Sequence, residues 1–456
     1  MQLSGFNWNS DLHIIPFGQD SLVLDINSGA VHQFDAAAID YINLLRESQG
    51  DEQAAYNHVI SLHGADIAVE VAAQVRELIN GGQLLTSRDD TYLDLLEMPV
   101  KALCLNVAHA CNMACTYCFA QKGDFGGSAG LMSREVAARA IDFLIEASGE
   151  VHNLEVDFFG GEPLLNWEVI VDTVAYARQR GKRSNKHFNF TLTTNGLLLD
   201  EPKMDYLVEN NIGVILSLDG RPEINDRHRV LRDGSGSYQQ LVPRYQKLVA
   251  KNPVSYYIRG TFTRHNLDFS EDARHIIDLG FDQFSLEPAV GPHAPEAVGL
   301  TELPEVLNEY EKLASLLEEH RLQGHNVHFF HFNLNINRGP CLAKRLTGCG
   351  AGNEYLTITP DGTIYPCHQL VENHDFIMGN VSSPVLNNEI RTRFARSTLT
   401  YKTDCQQCWA RYYCGGGCHA NAYNVNGDFL KPHEISCRMH RKRVEEAIKL
   451  EVKSQV

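Results

Sequence analysis

The cysteines of this chain are placed in a way that few folds can use. None occurs in residues 1–103, four lie between Cys104 and Cys118, and eight lie between Cys341 and Cys437. The first group holds Cys111-Asn-Met-Ala-Cys115-Thr-Tyr-Cys118, a C-x3-C-x2-C run. Three thiols are one short of the four ligands of a structural zinc site. They are also an odd number for a disulfide framework. The first residues, MQLSGFNWNSDLHIIPF, lack the basic and apolar regions of a signal peptide. No stretch approaches the roughly 20 apolar residues of a membrane span. A cytoplasmic location is therefore expected, and in a reducing compartment twelve cysteines read as metal or cluster ligands. The net charge of −17 argues against a nucleic-acid partner, which needs clustered Lys and Arg.

At roughly 150 residues per domain, 456 residues suggest about three domains, and pattern and cysteine placement divide the chain at 1–95, 96–335 and 336–456. In the first part, SLVLDINSGAVHQFD reads as two β-type runs around Asn27-Ser28-Gly29. Apolar-periodic segments follow at about 36–47, 53–63 and 67–80, the last stopping at Gly81-Gly82. A hairpin with three helices predicts a small winged-helix-like unit, and Leu95 to Pro99 reads as a linker. From Val100 the pattern becomes strand then helix, repeatedly: KALCLNVA, a helix capped by Ser133, LEVDFFGG, HFNFTLTTNG, IGVILSLDG, SYYIRGTFT and FDQFSLEP. This alternation predicts an α/β fold with a parallel sheet, open or curled into a partial barrel. Helices are expected near 270–279 and 303–322. After about 335 the chain is Gly- and Cys-rich, with a hairpin around Pro360-Asp-Gly362.

The three-cysteine run follows the first strand of this series, at the edge where α/β active sites assemble. Three thiolates hold three irons of a [4Fe–4S] cluster and leave the fourth open to another ligand. A zinc site completed by His109, or buried cysteines with no ligand role, shares the spacing. Phe159-Gly-Gly-Glu-Pro163 follows the second strand, Thr193-Thr-Asn195 the third, and Ser217 with Asp219 the fourth. Each alone is also a turn, cap or surface feature. Cys104 lies inside a strand and reads as core, and so does the run HFFHF at 328–332.

C-x3-C-x2-C with Tyr117 before its last cysteine resembles the signature of radical S-adenosylmethionine enzymes. That resemblance covers the whole strand–helix series and implies a partial (β/α)6 TIM-like barrel. It implies that Cys111, Cys115 and Cys118 are catalytic cluster ligands, whose open iron chelates and reductively cleaves S-adenosylmethionine to a 5′-deoxyadenosyl radical. It also assigns cofactor contacts to Tyr117, Gly160, Gly161, Glu162, Thr193, Asn195, Ser217, Asp219 and Arg229. Of these, Glu162 is read as accepting from the cofactor amino group and Arg229 as pairing with its carboxylate.

Cys349-x12-Gly362-x4-Cys367, Cys405-x2-Cys408-x5-Cys414-x3-Cys418 and Cys437 resemble the SPASM domain of peptide-modifying radical enzymes. Two auxiliary [4Fe–4S] clusters are implied, three in all. The first takes Cys349, Cys367 and Cys418, with Cys341 as fourth ligand unless that iron is left open to a substrate thiolate. The second takes Cys405, Cys408, Cys414 and Cys437. Zinc at Cys405, Cys408, Cys414 and Cys418 is the alternative. The first 95 residues resemble a peptide-recognition domain that binds a leader by strand addition. Together with LVLDINSGAVHQFD, GCGAG, YPCHQ and CWARYYCGGGC, this is most similar to the SCIFF (ranthipeptide) maturases, which form Cys thioether links. Expected partners are a ribosomal precursor peptide with a leader and a Cys-rich core, and an electron donor such as flavodoxin or ferredoxin. Anaerobic sulfatase maturases, which make formylglycine, have Asp where this chain has His368 in Tyr365-Pro-Cys-His368. Carbon–carbon crosslinking enzymes and a non-catalytic iron–sulfur electron carrier are the other readings.

Overall fold

The computed structural model describes residues 6–88, 98–290, 296–334 and 346–455. The chain begins with an antiparallel meander, β1 (Leu12–Phe17), β2 (Asp20–Asp25) and β3 (Val31–Phe34), in that spatial order. The hairpin expected around Asn27-Ser28-Gly29 is β2–β3. Strand β1 is additional: Leu-His-Ile-Ile-Pro-Phe lacks clean alternation and carries a proline, which an edge strand tolerates. Three helices follow, α1 (Ala36–Glu47), α2 (Glu52–His63) and α3 (Ala65–Asn80). Asp35 and Asp51 start the first two by accepting backbone N–H groups of the opening turn.

Strand periodicity gives this small sheet two apolar faces. Val23 and Phe34 pack on the helices, with Tyr41, Ile42, Val59 and Val75. Ile15, Leu22, Leu24 and Ile26 point the other way and are buried against Leu399, Tyr412, Val444 and Ile448 of the C-terminal region. Each fully buried aliphatic side chain contributes about 1.5–3 kcal/mol, so this seam joins the first unit firmly to the last.

The central section alternates strand and helix. Its elements are β4 (Ala102–His109), the short β5 (Gly130–Leu131), α4 (Arg134–Ala147), β6 (Asn153–Gly160), α5 (Trp167–Ser184) and β7 (His187–Thr194). Then come α6 (Glu201–Glu209), β8 (Ile212–Ser217), α7 (Pro222–His228), α8 (Tyr238–Ala250) and β9 (Tyr256–Phe262). The section ends with α9 (Phe269–Asp278), β10 (Gln283–Pro288), α10 (Leu303–Leu322) and β11 (His328–Phe329). Strands β4, β6, β7, β8, β9 and β10 are parallel neighbours in that order. All eight residues of β4, including Cys104, are buried. Of the run at 328–332, Phe329 is core, whereas His331 pairs with Glu287 at 2.6 Å.

The C-terminal region is continuous with this sheet. Strand β12 (Tyr355–Ile358) pairs parallel to β4, and β13 (Thr363–Tyr365) turns back at Pro360-Asp361-Gly362, followed by β14 (Gly379–Asn380). Among the described residues the sheet is open, ending at β11 and β14. The C-terminal helix Glu434–Gln455 packs on α10, where Arg443 Nε donates to Tyr310 Oη at 2.8 Å. The expected boundaries at 95/96 and 335/336 and residue Cys341 lie outside the described residues. No helix among those described is long and apolar enough to cross a membrane.

Candidate active site and iron–sulfur region

Parallel strands bring their carboxyl ends to one edge, and here that edge carries a cavity. Its wall includes Cys111, Cys115 and Cys118 after β4, Gly160 and Gly161 after β6, and Thr193 and Asn195 at the end of β7. Tyr117, Ser217 and Arg229 complete the residues singled out from sequence that line it. Glu162 and Asp219 are fully buried and stand behind the wall.

The cysteine loop is clamped by its neighbours. Ala114 N–H donates to Val230 O at 2.9 Å and Thr116 N–H to His228 O at 3.0 Å. Arg232 Nε donates to Cys111 O at 2.8 Å. From the other side, Gly161 N–H donates to Ala108 O and Glu162 N–H to Ala110 O, both at 2.8 Å. A β-carbon on Gly160 would collide with Ala108 O, and one on Gly161 with Ala110 O and Gly123 Cα. The two glycines thus serve a backbone-to-backbone approach between loops.

Glu162 accepts from Thr194 Oγ1 at 2.7 Å, Asn195 N–H at 2.8 Å and Leu164 N–H at 3.0 Å. Burial pushes its carboxyl up to about 7, against the pull of those donors. In this arrangement Glu162 ties the ends of β6 and β7 together. Asn195 in turn donates to Asn112 Oδ1 at 2.8 Å, beside Cys111. Tyr245 extends the brace by donating to Asn195 O at 2.8 Å and Ser217 O at 3.0 Å. Sequence reading missed Tyr245, because nothing local to α8 marks it.

Behind the cysteines runs a buried polar chain. Arg229 Nη1 donates to Tyr117 Oη at 2.9 Å, and Tyr117 donates to Asp219 Oδ2 at 2.6 Å. Asp219 also accepts from Thr261 N–H at 3.0 Å. Arg229 Nε is buried with no hydrogen-bond partner among the described residues, a donor available to an anionic ligand. Burial raises the Cys111 thiol to about 11 and Cys115 to about 12. They ionise near neutral pH only when a metal displaces the proton. The cavity also presents residues the motifs did not mark: Arg259 and Thr261 from β9, Glu287 from β10, and His368. His368 packs on Phe119 and Phe159, and burial holds its imidazole neutral down to about 4.

The C-terminal cysteines fall into two sets that sense one another electrostatically. Cys367 feels Cys349 and Cys418, whereas Cys414 feels Cys405, Cys408 and Cys437. Cys405, Cys408, Cys414 and Cys437 line one cavity. A second cavity is lined by Cys349 and Cys418 and also by Cys414 and Cys437, together with Glu287 and Arg259, and the last two also line the site at the sheet edge. Among the described residues, no three His, Cys, Asp or Glu side chains converge tightly enough for one metal ion. An all-thiol donor set spread around a cavity suits a larger iron–sulfur cluster.

The first unit offers a different surface. Edge strand β3 and helix α3 form a groove with Val31, Phe34, Ile67, Val71 and Leu78 on its apolar surface. Asp20, Asp35, Glu70 and Glu77 line it, with no Lys or Arg among the described lining residues. Arg411, 1% exposed, bridges this unit to the cysteine region by donating to Ser10 O and Asp11 Oδ1, both at 2.6 Å, and to Asn27 Oδ1 at 2.7 Å. His13 stacks on Trp409 at 3.7 Å.

Comparison with known proteins agrees with this layout. Residues 105–284 match the radical SAM superfamily, and residues 349–409 match SPASM, an iron–sulfur cluster-binding domain. The chain is 24% identical over 383 residues to the radical SAM cyclopropyl synthase TigE of Paramaledivibacter caminithermalis, covering 77% of this chain and 75% of that protein. It is 26% identical over 341 residues to a cysteine-type anaerobic sulfatase-maturating enzyme of Clostridium novyi, covering 68% and 85%. In fold it is similar to anSMEcpe with bound AdoMet and the Cp18Cys peptide, with a TM-score of 0.64, 22% identity, and 78% of this chain and 100% of that one covered. SuiB of Streptococcus suis bound to S-adenosylmethionine gives a TM-score of 0.53, 14% identity and 93% and 98% coverage. The chain carries a radical SAM domain joined to an SPASM iron–sulfur domain, close to the peptide and sulfatase maturases.

Proposed function

We propose that this protein forms thioether crosslinks between cysteine thiols and acceptor carbons of a ribosomally made precursor peptide. The observation that carries this reading is the β3–α3 groove, held by the Arg411 seam to the same body as the cysteine sites. An extended leader would add a strand to the β3 edge and drop alternate apolar side chains onto the groove floor. Its basic side chains would meet Asp20, Asp35, Glu70 and Glu77. Similarity to a sulfatase-maturating enzyme and to structures with bound peptides supports a peptide substrate.

Cys111, Cys115 and Cys118 would hold the first cluster and S-adenosylmethionine, and the free Arg229 Nε suits the cofactor's carboxylate. When bound, these groups supply a carbon-centred radical able to abstract hydrogen from an unactivated C–H bond. The residues around them position it: the Glu162 and Tyr245 braces fix the strand ends, and Tyr117 and Asp219 orient Arg229. The C-terminal cysteines would hold two further clusters, with Cys341 as fourth ligand of the first or its iron left to a substrate thiolate. That arrangement would keep a thiol deprotonated without a protein base. His368 lines the cavity, and as the residue standing where the sequence resemblance expects the sulfatase maturases' aspartate it disfavours that chemistry here. Similarity to a cyclopropyl synthase favours carbon–carbon bond formation as the second reading.

The test is co-expression with a leader-bearing cysteine-rich peptide. A loss of two hydrogens per link, with the matching cysteines unavailable to alkylation, is expected. The same mass loss with every thiol still alkylatable supports the second reading, and an unmodified peptide contradicts both.

A further inference from the structure

Lys402 is a charge the fold treats unusually. Its side chain is fully buried, and Nζ donates to Gly416 O at 2.7 Å. No carboxylate among the described residues forms an ion pair with it. A buried ammonium with a single carbonyl partner is unfavourable unless negative charge lies nearby. Backbone and side chain fix Lys402 among the cysteines: its carbonyl accepts from Cys405 N–H at 3.0 Å, and Nζ holds the carbonyl of Gly416, two residues from both Cys414 and Cys418. These cysteines come from both C-terminal sets.

The chain between the sets explains the placement. Cys414-Gly-Gly-Gly-Cys418 runs from one set to the other with all three glycines at positive φ, from 66° to 89°. Lys402 grips the carbonyl of the middle glycine. At a φ of 89° Gly416 holds a backbone turn that other residues rarely adopt, and that turn aims its carbonyl at Lys402 Nζ. Negative charge would reach Lys402 from these cysteines once they hold clusters as thiolates.

We infer that Lys402 is a shared counter-charge for the two C-terminal iron–sulfur sites, placed to raise the reduction potential of the clusters they hold. The inference rests on the reading that these cysteines bind clusters. Fixed positive charge favours the more negative, reduced state of a cluster. Both sites thereby become easier to reduce, which suits electron acceptors beside a bond-forming site. Lys402 touches no substrate and acts as a positioning charge.

The test is a redox titration followed by electron paramagnetic resonance on anaerobically reconstituted full-length protein. Lys402→Gln keeps a donor for Gly416 O and loses the charge, and Lys402→Arg keeps the charge. The glutamine variant is expected to shift the C-terminal signals to more negative potential, leaving the Cys111/Cys115/Cys118 signal in place. The arginine variant should stay near wild type. Unchanged potentials in a fully iron-loaded glutamine variant would overturn the inference. Should both variants lose C-terminal iron alike, the role is one of shape, which overturns it too. A Cys111/Cys115/Cys118→Ala protein that binds no iron would refute the underlying cluster reading instead.

Discussion

Replacing Arg411 with alanine removes the central bond between the first unit and the cysteine region. The guanidinium satisfies Ser10 O, Asp11 Oδ1 and Asn27 Oδ1, and Asp11 is itself 2% exposed. Breaking one side of a buried ion pair costs about 3–5 kcal/mol, because the remaining charge stays buried and unpaired. At about 1.4 kcal/mol per tenfold, docking of the first unit weakens roughly 10²- to 10⁴-fold. Hydrogen exchange reads this directly: amides of β1 and β2 should lose protection by that factor, while those of β6 and β7 keep theirs. Removing both charges, as Arg411→Met with Asp11→Asn, should recover much of the loss. Unchanged protection of β1 and β2 in Arg411→Ala would refute the claim that this pair holds the units together.

The remaining predictions concern the sites. Cys115→Ala should abolish reductive cleavage of S-adenosylmethionine while leaving the iron–sulfur absorbance of the C-terminal region, checked by product analysis and spectrum. Glu70→Lys with Glu77→Lys should weaken binding of a basic leader peptide about tenfold or more and flatten its salt dependence, measured by fluorescence anisotropy. Burial, with Arg443 adding to it, lowers the His440 imidazole to about 4, below the unfolded value near 6.5. The unfolded chain therefore binds the extra proton, so stability falls as pH drops from about 6.5 to 4, by up to about 3 kcal/mol. His440→Gln should lose less stability than wild type between pH 7 and pH 4.5, as read from urea midpoints.

Much of the cavity was legible because its residues sit at the ends of strands. Apolar runs of period two, closed by Gly160-Gly161, Asn195-Gly196 or Asp219-Gly220, are local signals, and parallel pairing brings their ends to one edge. What resisted reading depends on contacts distant in sequence. Glu162 reads from sequence as a contact for a cofactor amine; that it also braces β6 to β7 through Thr194 and Asn195 shows only in the folded chain. Tyr245 braces strands from a helix about 50 residues away. Arg411 finds Asp11 across 400 residues, and Lys402 has no motif of its own. Strand β12 belongs by sequence to the cysteine-rich region, yet pairs with β4 of the parallel sheet. Composition marks the cysteines there and says nothing of that pairing.

The loop Cys111–Cys118 and the peptide groove are proposed to act in one reaction. The direct measurement is 5′-deoxyadenosine formed by dithionite-reduced, reconstituted protein, followed alongside the mass of a leader-bearing peptide. Nucleoside release is expected to rise with the peptide's loss of hydrogens, and both are expected to fall together when the leader is removed. Nucleoside release with an unaltered peptide, or a modified peptide without nucleoside, would contradict it.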